Sequence, residues 1–486
     1  MTSASDRFDL AVVGAGPAGL AAAVAAADLG LHVTLLDAGE RPGGQYYRHP
    51  APGLGAARPE ALHHGWRLFD GRAARLRTHE RAGRVTYLAS HHVWTVVRDA
   101  EADGQGEGKG EAEGPGGRGA WRLHAVVGPE EAPAMIRASA VLLATGAYER
   151  QLPFPGWTLP GVIGAGGAQA MLKSGLVLPG RRVVVAGSGP LLLAVAGSLA
   201  AAGARVPAVV EASGYLAYAR ELPALVRNPG KLAQGAAYGA GLLRRSVRLL
   251  SRHAVTEAHG ADRVRAVTVS RLDHDWRPVP GSGRRVPCDA VAVGHGLVPQ
   301  LELATAVGCA VRSCPDGTPA LDFDADQRTS VPGIWAAGEA GGIGGAELAL
   351  VEGELAAASV AYELTGTPRG RRTALVRRRE RLRAFADAMA AAHRPGTGWT
   401  DWLDDDTDVC RCEEVPAGRI REAVAELGAR DARSVKLLTR AGMGWCQGRM
   451  CGPAVACLAG GALLADRRPL SCPVPLKSLA ELPPDE

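Results

Sequence analysis

Residues 8–37 limit the possible folds of this chain more than any other stretch. An apolar run at 10–13 has the length and branching of a buried parallel strand, and three glycines follow it closely. An alanine-rich helix is predicted from residue 17 to about residue 29, and a second apolar run at 32–36 ends at an acid. A strand, turn, helix and second strand in this order are typical of an α/β domain with a parallel sheet.

The glycines and the acid have the spacing of a dinucleotide fingerprint. The first glycine permits a tight turn, the second lets the backbone approach a pyrophosphate, and the third allows the helix to pack closely on the strand. The first amides of the helix then point at the phosphates, and the acid is placed for a ribose hydroxyl. We therefore predict an adenine dinucleotide site, formed by Gly14, Gly16, Pro17, Ala18, Gly19 and Asp37.

Composition excludes several other kinds of protein. The net charge of +5 is small for 486 residues, and nearly all of the basic residues are arginines, which indicates a compositional bias. We therefore predict no nucleic-acid binding. No uninterrupted apolar run suits a transmembrane helix, and the first strand leaves no room for a signal peptide. Nine cysteines without an export signal are expected to be reduced thiols or metal ligands. We expect a cytoplasmic protein without direct membrane insertion, which could associate with a membrane through partners.

A second glycine-rich segment follows the fingerprint directly. It contains Arg41, Gly44 and Gln45, and a glycine pair here lets the backbone approach a bound cofactor closely. With the fingerprint, it resembles the FAD domain of the flavoproteins that carry two dinucleotide-binding domains. The resemblance implies that these three residues belong to an FAD site. Some members of that superfamily place a redox-active cysteine pair soon afterwards, whereas the first cysteine here is Cys288, which excludes a disulfide-reductase mechanism of that type.

Two predicted strands, at 83–97 and 120–127, flank a segment of different composition. Val93, in the first of these strands, is assigned to the same FAD site. Residues 99–119 between the strands are rich in glycine and acid and too poor in apolar residues to order themselves, so we predict a flexible insertion.

Two later elements resemble the remainder of an FAD domain. A predicted strand ends in Thr145 and Gly146, where that superfamily passes from the FAD domain to a second domain. Another ends in Gly338 and Glu339 and leads into a helix near residue 346. The resemblance implies that the acid bonds a ribityl hydroxyl of FAD and that the helix N-terminus faces the flavin pyrimidine, where its dipole stabilises negative charge.

A second, incomplete fingerprint begins after residue 181. Gly187 and Gly189 hold the first two glycine positions, but Leu192 stands at the third, and a following strand ends at Glu211. The acid favours NAD over NADP if a nucleotide binds. The sequence leaves two alternatives of about equal weight, a nicotinamide site formed by Gly187, Gly189 and Glu211, and a domain with a structural role only.

Four cysteines near the C-terminus form two close pairs. Cys410 and Cys412 are separated by one residue, and Cys446 and Cys451 follow 33 residues later with four residues between them. Four thiolates suit tetrahedral zinc or an iron–sulfur cluster. The surrounding sequences, CRCEEV and GMGWCQGRMCGP, resemble the [2Fe-2S] module of bacterioferritin-associated ferredoxin. That resemblance and the neighbouring flavin favour a [2Fe-2S] cluster, with the other five cysteines as bystanders.

Three further expectations concern single elements. Residues 369–393 are predicted as one basic amphipathic helix, interpreted as a solvated linker in preference to a site for an acidic partner. Residues 434–440 are predicted as a short strand. His295 stands in a glycine loop at a strand end, but an isolated histidine in such a place is more often structural than catalytic.

These observations predict an α/β fold with two Rossmann-like dinucleotide-binding domains, the FAD domain being discontinuous, and a small, mainly helical C-terminal module ligated by cysteines. The expected boundaries are 1–157 and 300–366 for the FAD domain, 158–299 for the second nucleotide domain, 367–404 for the linker helix, 405–466 for the [2Fe-2S] module and 467–486 for a tail.

The whole arrangement resembles the α or A subunits of FAD-dependent amine and imino-acid dehydrogenases, such as opine oxidases, D-hydroxyproline dehydrogenases and the B subunits of hydrogen cyanide synthases. The resemblance implies a subunit that passes electrons from an amine or amino-acid substrate through FAD to the cluster. It also implies two candidate partners, a second flavoprotein subunit and a small ferredoxin-like subunit. The catalytic residues stay unknown. The alternatives are an NAD(P)H-dependent reductase and a non-catalytic redox-sensing or assembly subunit.

Overall fold

A computed structural model of the chain describes residues 7–99, 120–214, 218, 221–368, 370–461 and 468–480. The flexible insertion expected at 99–119 therefore lies outside the described residues, apart from its first residue.

The described strands are named β1 to β21 in chain order. They are Arg7–Val13, Val33–Leu36, Val85–Leu88, His91–Arg98, Trp121–Val127, Ala132–Leu143, Ala147–Glu149, Val162–Gly164, Val183–Gly187, Ala208–Glu211, Arg248–Ser251, His253–His259, Ala266–Arg271, Arg284–Pro287, Ala290–Gly294, Leu297–Pro299, Val311–Ser313, Pro319–Leu321, Ile334–Ala336, Asp408–Cys410 and Val415–Pro416.

The described α-helices are named α1 to α13 in the same way. They are Pro17–Asp28, Trp66–Arg81, Ala165–Gly175, Leu191–Ala201, Leu222–Val226, Pro229–Arg244, Glu302–Ala306, Ala346–Thr365, Arg372–Ala392, Ala417–Ala425, Ala432–Thr439, Gly452–Leu458 and Leu476–Ala480.

The first sheet has the strand order β3-β2-β1-β6-β5-β4, and β19 pairs with β6. Strands β1, β2, β3, β6 and β19 run parallel, whereas β4 and β5 form an antiparallel extension. Val13 lies beside Leu36 and Leu143, so these three strands end at one edge of the sheet. The segments that follow them, and the one after β19, must therefore meet at this edge, which is where ligands bind in such sheets.

The second sheet repeats this plan with the order β11-β10-β9-β15-β8, all parallel. Its central strands are buried runs of valine and alanine, as expected where helices cover both faces of a parallel sheet. Strands β12, β13 and β14 form a separate antiparallel sheet, and β7 pairs with β16 where the chain passes between the two nucleotide-binding folds. The predicted α/β fold with two such units is confirmed.

The C-terminal module shares one apolar core with the second sheet's side of the molecule. The indole of Trp157 donates to the carbonyl of Asp408 at 2.6 Å, and that of Trp402 donates to the carbonyl of Trp276 at 2.8 Å. The first contact joins the module directly to the nucleotide-binding part, and the second holds the segment that leads into the module.

Two expectations for single elements are wrong. Residues 434–440 are mostly helical, because α11 covers Ala432–Thr439 and the carboxylate of Asp431 caps it by accepting from the amide of Ser434 at 2.7 Å. Helix α9 is present, but it is not simply solvated, since Leu382, Arg383 and Ala386 are buried against the rest of the chain. The arginine-rich composition of this helix does not reveal its buried face.

Candidate flavin and iron–sulfur sites

The first glycine loop has the geometry that each glycine was expected to supply. Gly14 has φ +104°, and a Cβ there would lie 2.3 Å from the carbonyl oxygen of Ala144. A Cβ on Gly19 would lie 1.8 Å from the carbonyl oxygen of Gly14, so helix α1 packs directly on the turn. At Gly16 no described atom lies within 4 Å of the Cβ position. The loop is therefore closed on its inner side and open toward the cavity described below.

Asp37 holds this loop in place. Its carboxylate accepts hydrogen bonds from the amide of Ala15 at 2.5 Å and from the amide of Gly39 at 2.6 Å. Burial raises the pKa of the Asp37 carboxyl, while these amides oppose the rise. Asp37 also lines the cavity, which leaves it in the position expected of a ribose-binding acid.

The segment from Arg41 to Gln45 lies against the glycine loop. Gly44 has φ +57°, and a Cβ there would lie 2.8 Å from the Cα of Gly16, so no larger residue fits without displacing the loop. The Nη1 atom of Arg41 is buried without a hydrogen-bond partner among the described residues, and Arg41 lines the cavity. An unpartnered buried guanidinium atom beside a glycine loop fits an anionic group such as a pyrophosphate.

The remaining predicted FAD-site residues lie around the same cavity, which Val93, Thr145, Gly146 and Gly338 all line. The hydroxyl of Thr145 donates to the carbonyl of Gln300 at 2.8 Å, which ties together the two segments that cross between the nucleotide-binding folds. Gly338 has φ +82°, and a Cβ there would lie 2.9 Å from that of Ala18 in the first helix. The start of α1 and the segment that follows β19 are thus in direct contact.

Glu339 lines the cavity but is already engaged by the protein. Its carboxylate accepts from the amides of Gly344 at 2.7 Å and Gly345 at 3.0 Å, immediately before α8 begins. Burial raises the pKa of this carboxyl, and the two amides oppose the rise. The helix begins at Ala346, as expected, and Glu339 orders the loop that leads into it.

The cavity has a volume of about 1970 Å³. This is well above the ~300–1,000 Å³ of usual single-ligand pockets, so it has room for an extended dinucleotide and more. Its wall includes the first glycine loop, the second glycine loop and one face of α9. The open side of Gly16, the close approach at Gly44 and the unpartnered Arg41 together fit FAD.

Sequence reasoning missed a buried ionic cluster behind the cavity wall. Glu352 of α8 is fully buried, and its carboxylate accepts from Arg383 at 2.8 Å, from Arg379 at 3.2 Å and from the amide of Gly338 at 3.0 Å. Arg383 also donates to the carbonyl of Gly342 at 2.7 Å. The cluster connects α9 to the loop after β19. The only local signal was an acid within an apolar helix, which is unusual unless the acid is paired.

The second glycine loop retains its turn. Gly187 has φ +136°, and a Cβ there would lie 1.7 Å from the carbonyl oxygen of Gly294, while Gly189 has φ +113° and an open Cβ position. Leu192 is buried within the apolar core beneath α4. The segment from Ser188 to Leu191 lines the same large cavity.

Glu211, the acid of the second fold, is covered by another part of the chain. Its carboxylate accepts from the amides of Gly189 and Ser213, both at 2.9 Å, and the Nδ1 atom of His393 lies 3.5 Å away. Burial alone would raise the pKa of this carboxyl, but the hydrogen bond and charge of His393, together with the two amides, bring it below its ordinary value. No local sequence pattern indicates this contact.

The four cysteines of the C-terminal module converge from two loops. Cys451 is within hydrogen-bonding reach of Cys410 and Cys446, and Cys446 is within reach of Cys412. The amide of Gly442 donates to the sulfur of Cys410 at 3.4 Å. Contact with Cys451 and with nearby amides lowers the pKa of Cys410 to about 6 and that of Cys446 to about 5. The contacts with Cys410 and Cys446 raise the pKa of the Cys451 thiol, and the pKa of Cys412 is also raised, so the loops favour thiolates at Cys410 and Cys446 only.

The four thiols contact one another in a continuous series. Among the described residues, no set of three or more His, Cys, Asp or Glu side chains is arranged to hold a single metal ion. The sulfurs are instead linked pair by pair along the series Cys412, Cys446, Cys451, Cys410. A Cβ on Gly444 would lie 2.3 Å from that of Cys412, so the second loop must pass very close to the first. Four thiol donors in two pairs fit [2Fe-2S] chemistry.

The other cysteines and His295 lie apart from these sites. Burial raises the pKa of the thiols of Cys288, Cys309, Cys314, Cys457 and Cys472. His295 is buried beside Trp276 and Trp402, and burial lowers its pKa to about 4. Because it does not line the cavity, the structural interpretation of this histidine is the better one.

The module also contacts the flavin side of the molecule. Arg449, between Cys446 and Cys451, forms an ion pair with Glu302 at 2.8 Å and donates to the carbonyl of Ser471. The amide of Ser471 donates to the carbonyl of Trp94 at 2.9 Å, next to the cavity residue Val93. Residues 468–480 of the predicted tail thus form a strap across the first sheet.

None of the described helices has the length and apolar character needed to cross a membrane.

Comparisons with known proteins agree with this geometry. HcnB, a hydrogen cyanide synthase subunit of Pseudomonas aeruginosa, is 35% identical over 452 residues, which cover 90% of this chain and 90% of HcnB. The A subunit of opine oxidase from Agrobacterium tumefaciens is 35% identical over 473 residues, covering 93% of this chain and 86% of that protein. The crystal structure of L-proline dehydrogenase from P. horikoshii shares the fold, with a TM-score of 0.63, 21% identity, and coverage of 98% of this chain and 80% of that one.

Two family matches divide the chain as the two sites do. Residues 8–363 match the pyridine nucleotide-disulphide oxidoreductase family, and residues 409–458 match the BFD-like [2Fe-2S] binding domain. The first match indicates FAD and the second an iron–sulfur cluster, as predicted. The chain therefore belongs to the pyridine nucleotide-disulphide oxidoreductase family and is a flavin oxidoreductase with a BFD-like [2Fe-2S] domain.

Proposed function

We propose that this chain is a subunit of a heteromeric dehydrogenase that oxidises an amine, an amino acid or an imino acid. The observation that carries the proposal is the presence, in one chain, of an FAD fold without a cysteine pair and a four-thiol [2Fe-2S] module fixed against it. FAD accepts two electrons from an organic donor and releases them singly, and a [2Fe-2S] cluster carries one.

The residues of this chain would hold these groups. We propose that the first glycine loop and Arg41 hold the FAD pyrophosphate, that Asp37 holds the adenosine ribose, and that Glu339 orders the loop facing the flavin. We assign the cluster to Cys410, Cys412, Cys446 and Cys451. The remaining predicted FAD contacts are Pro17, Ala18, Gly19, Gly44, Gln45, Val93, Thr145, Gly146 and Gly338.

The substrate class follows from the relatives. HcnB and the opine oxidase protein are named as subunits of larger enzymes, and the structural neighbour is named for proline oxidation. We infer that a second flavoprotein subunit contributes to substrate oxidation and that a small ferredoxin-like subunit is a further candidate. We also propose a cytoplasmic location, because the nine cysteines are free thiols and the four ligand thiols require reducing surroundings.

Anaerobic reduction tests this proposal. The protein, alone and together with its co-purifying subunit, is mixed with an opine, L-proline, other N-substituted amino acids, NADH or NADPH, and flavin absorbance is followed. We expect an amine or amino-acid substrate to bleach the flavin of the complex and to change the cluster spectrum afterwards. Full bleaching by NADH or NADPH alone, with no response to any amine, would make the chain a pyridine-nucleotide-dependent reductase instead.

A further inference from the structure

The two nucleotide-binding folds of this chain hold their acidic residue in the same way. In the first, the carboxylate of Asp37 accepts from an amide of the glycine loop and from the amide two residues further on. In the second, Glu211 accepts from the amide of Gly189 and from that of Ser213, two residues further on. Glu211 therefore stands where an acid would hold the ribose of an adenine nucleotide.

The two acids differ in what covers them. Asp37 is partly exposed and lines the cavity, whereas Glu211 is only 5% exposed and does not. The imidazole of His393 lies over it, with Nδ1 3.5 Å from Glu211 and 3.1 Å from the hydroxyl of Ser188. Nε2 of the same ring lies 2.6 Å from the hydroxyl of Tyr218. Both ring nitrogens are thus engaged inside the second nucleotide fold.

The position of His393 is set by the helix that precedes it. His393 follows directly after α9, and α9 is fixed by the ion pairs of Arg379 and Arg383 with the buried Glu352. The side chain of Asn228 also donates to the carbonyl of Arg381 at 3.2 Å, which joins α9 to the second fold. A ring at the end of a helix anchored in this way is held in place by tertiary packing.

The phosphate end of the second fold is not covered in the same way. No described atom lies within 4 Å of the Cβ position of Gly189, and Ser188 to Leu191 line the cavity. The loop could still approach a phosphate, but the adenosine ribose that belongs beside Glu211 would have to displace His393.

We propose that His393 closes the second dinucleotide site to the adenosine half of pyridine nucleotides, so that neither NAD(H) nor NADP(H) binds there. His393 is on this view a specificity-determining residue, which excludes a competing electron donor from a fold built to accept one. The proposal deepens the proposed function. It depends on that function in one respect only, namely that FAD occupies the first site.

The test uses the full FAD- and iron-loaded chain, so that the first site is occupied. His393→Gly is compared with the wild-type chain and with His274→Gly, which removes an imidazole whose side chain is 85% exposed. Binding of NADH, NADPH and ADP-ribose is measured by isothermal titration calorimetry. We expect no saturable binding by the wild-type chain or the His274 variant up to millimolar ligand. We expect at least a tenfold gain in affinity for NADH and ADP-ribose in His393→Gly, with NADPH weaker because Glu211 repels a 2′-phosphate.

Two results would overturn the proposal. In the first, the wild-type chain binds NADH as tightly as His393→Gly does. In the second, neither the wild-type chain nor a correctly folded His393→Gly binds NADH. Folding is judged by FAD and iron content and by circular dichroism. If His393→Gly loses its cofactors, His393→Asn is used in its place, because asparagine lacks the imidazole ring but keeps a polar group. Failure of every amine to reduce the flavin would remove the proposed function and leave these binding results unaffected.

Discussion

Four thiols from two loops define the C-terminal site at the level of single residues. Cys410 and Cys451 are buried, Cys446 is half-buried, and Cys412 is exposed, so one edge of the site faces solvent. The glycines between these cysteines allow the backbone amides to approach the sulfurs, as at Gly442. Amides directed at sulfur stabilise negative charge, which four thiolates around ferric iron require.

Replacing Cys446 by Ser should remove the cluster and leave FAD bound, because the two sites share no residue. We expect about two irons and two labile sulfides per wild-type chain and a large loss of both in the variant. Iron, sulfide and FAD content and the visible spectrum measure this. Cys457→Ser, which changes a half-buried cysteine outside the four-thiol series, is the matched control and should retain the cluster. Stoichiometric zinc in the wild-type protein would contradict the assignment.

His295 illustrates the cost of a buried titratable group. Its pKa falls from 6.5 to about 4 because burial penalises the charged ring. Between these values the unfolded chain binds more protons than the folded chain, so this group's contribution to stability is lost as the pH falls from about 6.5 toward about 4.

His295→Phe should therefore make the protein less sensitive to acid. The difference in unfolding free energy between pH 7 and pH 5 should be smaller in the variant by about 2 kcal/mol. Urea unfolding at a series of pH values measures it, and the exposed His274→Phe serves as control. Equal pH dependence in His295→Phe and wild-type protein would show that His295 is not held neutral.

At the level of elements, α8 and α9 form the support behind the flavin cavity. Glu352 of α8 receives two arginines from α9 and the amide of Gly338, so one carboxylate connects both helices with the loop that closes the FAD fold. A fully buried carboxylate is tolerated only because these donors compensate its lost hydration. Helix α9 is consequently part of the site's framework.

Arg383→Met should destabilise the protein by about 3–5 kcal/mol, because it leaves the charge of Glu352 poorly compensated in the interior. Arg378→Met removes a neighbouring but exposed ion pair with Glu347 and should cost at most about 1 kcal/mol. Chemical unfolding of both variants gives the comparison. Combining Arg383→Met with Glu352→Gln should recover part of the lost unfolding free energy. Equal destabilisation by Arg383→Met and Arg378→Met would argue against a structural cluster.

At the level of the whole molecule, the C-terminal module is fixed on two sides. Its apolar core continues into that of the second fold, while Arg449 reaches Glu302 and the strap at 468–480 crosses the first sheet. Cys472 of the strap packs with Trp94 and Val126, and Leu479 packs against the same small cluster. The module and the flavin fold are thereby held in a fixed relation.

Leu479→Asp should release the strap without affecting the cluster. A carboxylate placed against this small apolar cluster costs several kcal/mol, so amide hydrogen exchange in residues 468–480 should rise by at least about tenfold. Leu476→Asp introduces the same charge at a position that is 82% exposed and should change exchange little. Mass spectrometry with iron analysis measures both. Unchanged exchange in Leu479→Asp would mean that the strap is held by its hydrogen bonds alone.

Much of the fold, and the loops that form both candidate sites, could be predicted from the sequence, because their determinants are local. The glycines at 14, 16 and 19 are needed by backbone within a few residues of them, and the cysteine spacing reflects two short loops. The strand expected at 434–440 failed because a single N-cap at Asp431 and a helical apolar face outweighed a short branched run.

The sequence by itself determined the two nucleotide folds, the flavin fingerprint and the two cysteine pairs proposed to hold the cluster. Only the tertiary structure decided that arginines of α9 compensate the charge of Glu352 and that His393 lies over Glu211. Ser188 and His393, which share a hydrogen bond, are 205 positions apart, and no periodic pattern relates residues so distant. Their contact depends on how α9 packs on α8, and that packing follows from burial and charge pairing across the whole chain.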